Sequence, residues 1–257
     1  MSLDFDDDKN AKNIVAYIVN SQSNKKVNNL CFKENSDQGG TSIAIHDGYK
    51  FNLAPRPVSE KERSVLFVAG ESGAGKSYFI REYAKDYHKM FPKNPIYLIS
   101  YLDQDETLDS YKEIVRLYCF KDDFLMDCPT LDLESNFNNS FVIFDDIDSI
   151  AEKKNKAIIY GLLNKMLRIG RHFNISVAYL GHELYSSHDL KTILNESHTI
   201  TFFPKYLNYK KLKYLLEEYF GLSKDQVERI RAVRDRNVTY IKGSDKLILS
   251  DTECFIL

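Results

Sequence analysis

The chain has 257 residues, 43% of them apolar and 28% charged, enough to bury one sizeable core and too apolar for an acidic disordered chain or a mucin-like stalk. Thirty-five basic against 37 acidic side chains give a formal charge of −2, which excludes a polybasic tail protein and, as a total, argues against a nucleic-acid partner. No run of about 18 apolar residues occurs, so no transmembrane segment is expected. Met1–Lys12 is acidic and polar, unlike a signal peptide. Cys31, Cys119, Cys128 and Cys254 lack CxxC or metal-type spacing and read as reduced thiols of a soluble protein in a reducing compartment.

In chain order, residues 1–55 form a small β-leaning segment. Strands are expected at Asn13–Asn20 and Thr41–His46, with turn signals at Gln38-Gly39-Gly40 and Asp47-Gly48. Pro55-Arg56-Pro57 marks a boundary, and residues 56–257 read as one domain. There, short β-rich runs alternate with helical stretches. The runs are Ser64–Ala69, Pro95–Ser100, Ile114–Cys119, Phe141–Phe144, Ile175–Leu180 and His198–Phe203. Helices are expected at Lys76–Lys89, Ala151–Arg171, Asp189–Asn195, Tyr209–Phe220 and Lys224–Arg236. Continuous apolar runs such as Val65–Val68 suit strands buried on both faces, so the class is α/β with a mostly parallel central sheet flanked by helices. Val238–Ile241 and Leu247–Ser250 read as a late hairpin turning at Gly243-Ser244-Asp245.

Gly70-Glu71-Ser72-Gly73-Ala74-Gly75-Lys76-Ser77 satisfies the G-x-x-x-x-G-K-[ST] template between an apolar strand and a helix. Small residues let backbone N–H groups curl around a phosphate. Lys76 would reach the β- and γ-phosphates, and the Ser77 hydroxyl would ligate Mg²⁺. Glu71, Ser72, Gly73, Ala74 and the following Tyr78 complete the expected nucleotide contacts, so ATP and Mg²⁺ are the implied ligands. The second motif is Phe141-Val142-Ile143-Phe144-Asp145-Asp146, an apolar strand ending in two carboxylates. Asp145 would hold Mg²⁺ through a water, and Asp146 would orient or deprotonate an attacking water. Asp148 is expected to start or cap the next segment. A third strand, Asn174–Gly181, ends in His182-Glu183, and His182 fits a γ-phosphate sensor.

The near-neutral total conceals segregation. Residues 101–148 carry 13 acidic and 3 basic side chains, 151–171 carry 6 basic and 1 acidic, and 205–236 carry 9 basic and 5 acidic. On the 151–171 helix, Ile158, Leu162, Met166 and Ile169, flanked by Ile159, Leu163 and Leu167, are expected to face the core. Asn164, Arg168 and Arg171 share another face, suited to subunit contact, DNA phosphates or solvent. Arg171 is the candidate arginine finger acting in trans, with Arg168 second and Arg229, Arg231, Arg234 and Arg236 competing.

Five stretches carry a family resemblance: VLFVAGESGAGKSYFI, NPIYLIS followed by DETLDS, FVIFDDID, RHFNISVAYLGHELYSSHDLKTILNESHTITFFP and NVTYIKGSDKLILSD. Together they resemble the genome-packaging ATPases of nucleocytoplasmic large DNA viruses and virophages, a branch of the FtsK–HerA superfamily. The resemblance implies a RecA/FtsK-like P-loop NTPase of the ASCE type. It also implies a homo-oligomeric ring that pulls double-stranded DNA into a preformed capsid, with a capsid or vertex protein as partner, in the host cytoplasm (the viral factory) or the virion. Gly70, Gly75, Lys76 and Ser77 fall on Walker A positions, Asp145 and Asp146 on Walker B, and His182 on a sensor position that is often Gln. Many superfamily members carry Glu where Asp146 stands. Two other classes fit a P-loop: a nucleotide-gated assembly scaffold with weak hydrolysis, and a nucleoside or nucleotide kinase.

Overall fold

The computed structural model describes residues 2–8, 11, 13–33, 40–56, 63–118, 122–184, 188–243 and 246–257. Pro57, Cys119, Gln38-Gly39 and Ser244-Asp245, all invoked above, lie outside the described residues. By contact the chain divides into two units. One comprises Met1–Ala54 and Thr201–Leu257, the other Pro55–Ile200. The sequence suggested a single boundary near residue 55, and the grouping of the last 57 residues with the first 54 is a feature of the tertiary structure.

In the first unit, β1 (Ser2–Asp6), β2 (Ile14–Asn20), β3 (Lys26–Lys33), β4 (Ser42–Ala44) and β5 (Tyr49–Leu53) come first in the chain. β1, β3, β2 and β5 form an antiparallel sheet in that order, around Leu3, Ala16, Ile18, Leu30 and Phe51. Only β2 and β4 were expected. β1 and β3 escape because their patterns mix acids and asparagines into the pairing residues. Asn29, for example, is buried and donates to the Asp6 and Asp8 carbonyls at 2.8 and 3.0 Å.

The Pro55–Ile200 unit carries the motifs. Its strands are β6 (Val65–Ala69), β7 (Ile96–Ser100), β8 (Ile114–Leu117), β9 (Phe141–Asp145) and β10 (Ser176–Gly181), and β11 (Thr199–Phe202) begins at its end. Spatial order is β11-β6-β10-β9-β7-β8, and every pairing from β6 to β8 is parallel. All residues of β6, β9 and β10 are buried, as continuous apolar runs require. Its helices are α1 (Lys76–Met90), α2 (Asp122–Asp127), α3 (Leu133–Phe137), α4 (Lys153–Ile169) and α5 (His188–Glu196). Because the strands are parallel, the segments after β6, β7, β9 and β10 all emerge at the carboxyl edge of the sheet, where α/β proteins bind ligands.

α4 buries Ile159, Leu162, Leu163, Met166 and Leu167 as expected, but Ile169 is 41% exposed. The helix ends there and the chain tightens into a 3₁₀ turn over Gly170–Phe173, which rotates Ile169 off the core face. Arg63, absent from the sequence reading, holds this end. Its guanidinium is buried and donates to the carbonyls of Met166 (2.6 Å), Ile175 (2.9 Å) and Leu167. It thereby adds charged donors to two carbonyls in the last turn of the helix, one of which, Met166, also accepts the capping N–H of Gly170. Burial pulls the Arg63 pKa to about 10, still well above neutral.

The rest of the first unit is α6 (Tyr209–Tyr214), continued by a π turn over Leu215–Tyr219, then α7 (Lys224–Ala232), β12 (Val238–Ile241), β13 (Leu247–Ser250) and β14 (Glu253–Ile256). The late hairpin is present, and β14 and β4 extend it antiparallel. No helix among the described residues is long and apolar enough to cross a membrane. Cys31, Cys128 and Cys254 are buried free thiols, and burial pushes Cys254 up to about 12.

Candidate active site

The P-loop joins β6 to α1. Gly73 (φ 77°) and Gly75 (φ 114°) occupy the left-handed region, where a side chain is strained, so the template's glycines are demanded by the backbone. Gly75 offers no side-chain cap, and no acidic residue lies in the first turn of α1, which leaves its leading N–H groups facing outward for an anion. Glu71, Ser72 and Gly73 are exposed and Ala74 is buried. Tyr78 is half-exposed, with the Arg81 guanidinium 4.9 Å from its ring centre.

Lys76 is buried, and its Nζ donates to the Gly70 carbonyl at 2.7 Å and the Glu71 carbonyl at 3.3 Å. Burial lowers its pKa, opposed by the charges of Asp145, Asp146 and Asp148. Nζ also lies 3.5 Å from His182 Nδ1. An ammonium has only donors, so Nδ1 accepts and Nε2 carries the proton. That Nε2 is 2.7 Å from Asp146 Oδ1. His182 thus bridges the P-loop lysine and the second Walker B carboxylate, three residues brought together from the start of α1 and from just beyond the ends of β9 and β10.

Asp145, the last residue of β9, is 2% exposed, and its pKa is pushed up to about 7 by burial, then by the charges of Asp146 and Asp105, against Lys76 and Arg116. Asp146 follows in the left-handed region (φ 53°), an uncommon conformation for a residue with a Cβ that Asp tolerates better than most. It turns the second carboxylate toward His182. Asp148 lies in the first turn of the segment that follows β9, without capping α4. It sits inside a 3₁₀ turn (Ile147–Ser149), where its Oδ2 accepts from the backbone N–H of His182 at 3.3 Å while Oδ1 is buried without a hydrogen-bond partner. One ligand atom each from Asp146, Asp148 and His182 lies within 4.8 Å of the others, a spacing that can hold a cation. Gly70 N–H donates to the Gly181 carbonyl at 3.1 Å, tying the loop's first residue to the end of β10. A Cβ on Gly181 would stand 2.9 Å from Tyr179 Cε1, so the strand end has no room for another residue.

The site fits magnesium and a triphosphate on its own chemistry. Backbone amides and the Lys76 ammonium are donors of the kind an anion takes, and the Ser77 hydroxyl and Asp145 carboxylate are oxygen ligands of the kind a hard cation takes. Sequence reasoning missed Asp105, whose Oδ2 accepts from Ser77 Oγ at 3.2 Å. The only signal for it was its place in the DETLDS stretch. Arg171 is not part of this cluster. It is exposed in the turn before β10, at the opposite end of that strand from His182. Among its rivals, Arg229 stacks on Phe255 at 4.0 Å and Arg231 on Tyr209 at 4.3 Å.

A P-loop strand separated from the acid-bearing strand by an inserted strand, with a polar residue following that strand's end, is the strand order of the P-loop NTPase fold of the ASCE type. No protein-family model matches the chain. It is 37% identical over 216 residues to the uncharacterised protein V3 of Sputnik virophage, an alignment covering 82% of each chain. The chain therefore belongs to the family of this virophage protein. Similar solved structures include the genome-packaging NTPase B204 of Sulfolobus turreted icosahedral virus 2 in complex with AMPPCP (14% identity, TM-score 0.47, 69% of this chain and 92% of that one). Another is the pCW3 conjugation coupling protein TcpA with ATPγS (13% identity, TM-score 0.46, 93% of this chain and 77% of that one).

Proposed function

We propose that the protein is an ATP-hydrolysing motor that translocates double-stranded DNA to package a viral genome into a preformed capsid. The observation that carries hydrolysis is the His182 bridge, with Lys76 Nζ at 3.5 Å on one side and Asp146 Oδ1 at 2.7 Å on the other. It puts a phosphate-binding cation and a candidate base on two nitrogens of one ring. The DNA-packaging reading is supported by the motif resemblance, by the virophage relationship and by the basic 151–171 and 205–236 stretches.

In this reading the P-loop amides and Lys76 hold the β- and γ-phosphates, and Ser77 and Asp145 would hold Mg²⁺, which would supply charge neutralisation at the phosphate oxygens. Asp146 accepts a proton from the water whose oxygen attacks the γ-phosphorus as the bond to ADP breaks. His182 holds Asp146 in place and, lying beside Lys76, registers whether a γ-phosphate is present. Arg171 acts in trans, since it projects from the edge of the sheet opposite its own site, and the subunits form a ring in the viral factory of the host cytoplasm or in the virion. A capsid or vertex protein is the docking partner.

Steady-state ATP hydrolysis with and without duplex DNA tests the reading. The wild type is expected to turn over ATP faster with DNA. Lys76→Ala should abolish nucleotide binding, and Asp146→Asn should lower turnover by about 10²–10⁴ with binding kept. Unchanged turnover in either variant refutes the site. Nucleotide-dependent assembly without turnover identifies a scaffold, and phosphate transfer to a nucleoside identifies a kinase.

A further inference from the structure

The loop after β7 brings Asp105 to Ser77, and its folding is organised around that residue. Asp105 uses both carboxylate oxygens. Oδ1 accepts from the Leu108 N–H at 2.7 Å, which closes a local turn, and Oδ2 accepts from Ser77 Oγ at 3.2 Å. The local turn requires only the first of these. Its backbone N–H donates to Asp109 Oδ2 at 2.8 Å. Asp109 is in turn gripped by Arg116 of β8, with Nη2 at 2.8 and 3.0 Å and Nε at 3.1 Å, while Nη1 reaches the Leu102 carbonyl at 2.6 Å. The Arg116 side chain is only 7% exposed, and Leu108 is fully buried beneath the same loop. A nearly buried fork from the neighbouring strand therefore fixes the loop that carries Asp105, and Asp105 meets the one side chain of α1 assigned to the metal.

A hydroxyl has one hydrogen to donate and two lone pairs. With its hydrogen committed to Asp105, the Ser77 oxygen keeps both lone pairs for a cation. An acceptor behind a metal ligand fixes its rotor and raises its basicity, as partners behind metal-binding histidines do. We propose that Asp105 is a positioning residue for magnesium coordination by Ser77, held in place by the Arg116–Asp109 pair. The inference rests on the nucleotide-site reading above.

The test is binding of a fluorescent ATP analogue to the full chain, measured in EDTA and along a Mg²⁺ titration. Asp105→Asn is expected to raise the half-saturating Mg²⁺ concentration about 10–100-fold while leaving affinity in EDTA within about twofold. Asp105→Glu, which restores a carboxylate, should recover part of the loss. Arg116→Met, acting through Asp109, should shift the Mg²⁺ titration in the same direction by less. An unchanged Mg²⁺ titration in Asp105→Asn overturns the proposal. So does an equal loss of affinity in EDTA and in Mg²⁺, which would mark Asp105 as a loop-folding residue only. Failure of the wild type to bind the analogue in either condition is a separate result, which removes the nucleotide-site reading and this inference with it.

Discussion

Asp145 is buried at a point where the fold opposes its negative charge, and under the proposed magnesium-binding role this makes stability and function pull in opposite directions. Its carboxyl is held near 7, well above its ordinary value of 3.8. Without magnesium, the folded protein binds one more proton than the unfolded chain between those two values, so stability is present below the unfolded pKa and lost as pH rises toward the folded one. With these two values the linkage relation gives a loss of roughly 2–3 kcal/mol between pH 5 and pH 8 from this one group. For a chain of this size that is a fall in melting temperature of roughly 5–10 °C. Asp145→Asn removes the titration. The assay is thermal unfolding of both proteins in EDTA across pH 5–8, read as the difference between them so that other titrations cancel. The variant should gain on the wild type as pH rises and be the more stable protein at pH 8, yet lose Mg²⁺-dependent nucleotide binding. Parallel melting curves across that pH range would refute the claim that burial and the neighbouring Asp146 and Asp105 disfavour the charge.

Other substitutions probe the scaffold. Arg63→Met keeps much of the length and loses every donor, leaving the Met166, Leu167 and Ile175 carbonyls without that partner. It should cost about 3 kcal/mol in chemical denaturation. Gly170→Ala places a Cβ against Arg63 Nη1 and 3.3 Å from Ile175 Cβ, so it should lower stability by about 1–3 kcal/mol, and by less in the Arg63→Met background. Gly75→Ala forces a side chain onto φ 114° and should weaken nucleotide binding by about tenfold or more, measured by the same fluorescent titration, with little change in melting temperature.

What the sequence made legible is what lies close together along the chain. The P-loop is eight consecutive residues whose glycines answer to local backbone geometry, and α1 begins at Lys76 as read. The alternation of apolar runs and helices gave the parallel sheet, because strands buried on both faces have no alternation to hide. Three other contacts had no local signal. Asp105 reaches Ser77 across 28 residues, and it does so through a loop shaped by Arg116 of a further strand. Arg63 looks like any surface arginine until the helix end 103 residues away is folded over it. Asp148 was legible as a residue that starts or caps the next segment, and only the placement of β10 beside β9 brings the His182 N–H to it. The β1 and β3 strands were obscured for a different reason. Buried asparagine breaks the apolar pattern that sequence reading depends on; the Asn29 amide nitrogen finds two specific carbonyls, while its Oδ1 is buried without a partner.

The inserted strand β10 also acts as a gauge. Neighbouring strands lie about 4.8 Å apart, so one strand between β6 and β9 holds the origins of the lysine loop and of the two carboxylates roughly 10 Å apart. That gap is wider than any direct hydrogen bond between the two strand ends, and a side chain rising from the middle strand is what closes it. The width of the gap is therefore a property of the sheet itself, as invariant as backbone hydrogen bonding, and only its contents are left to the side chains.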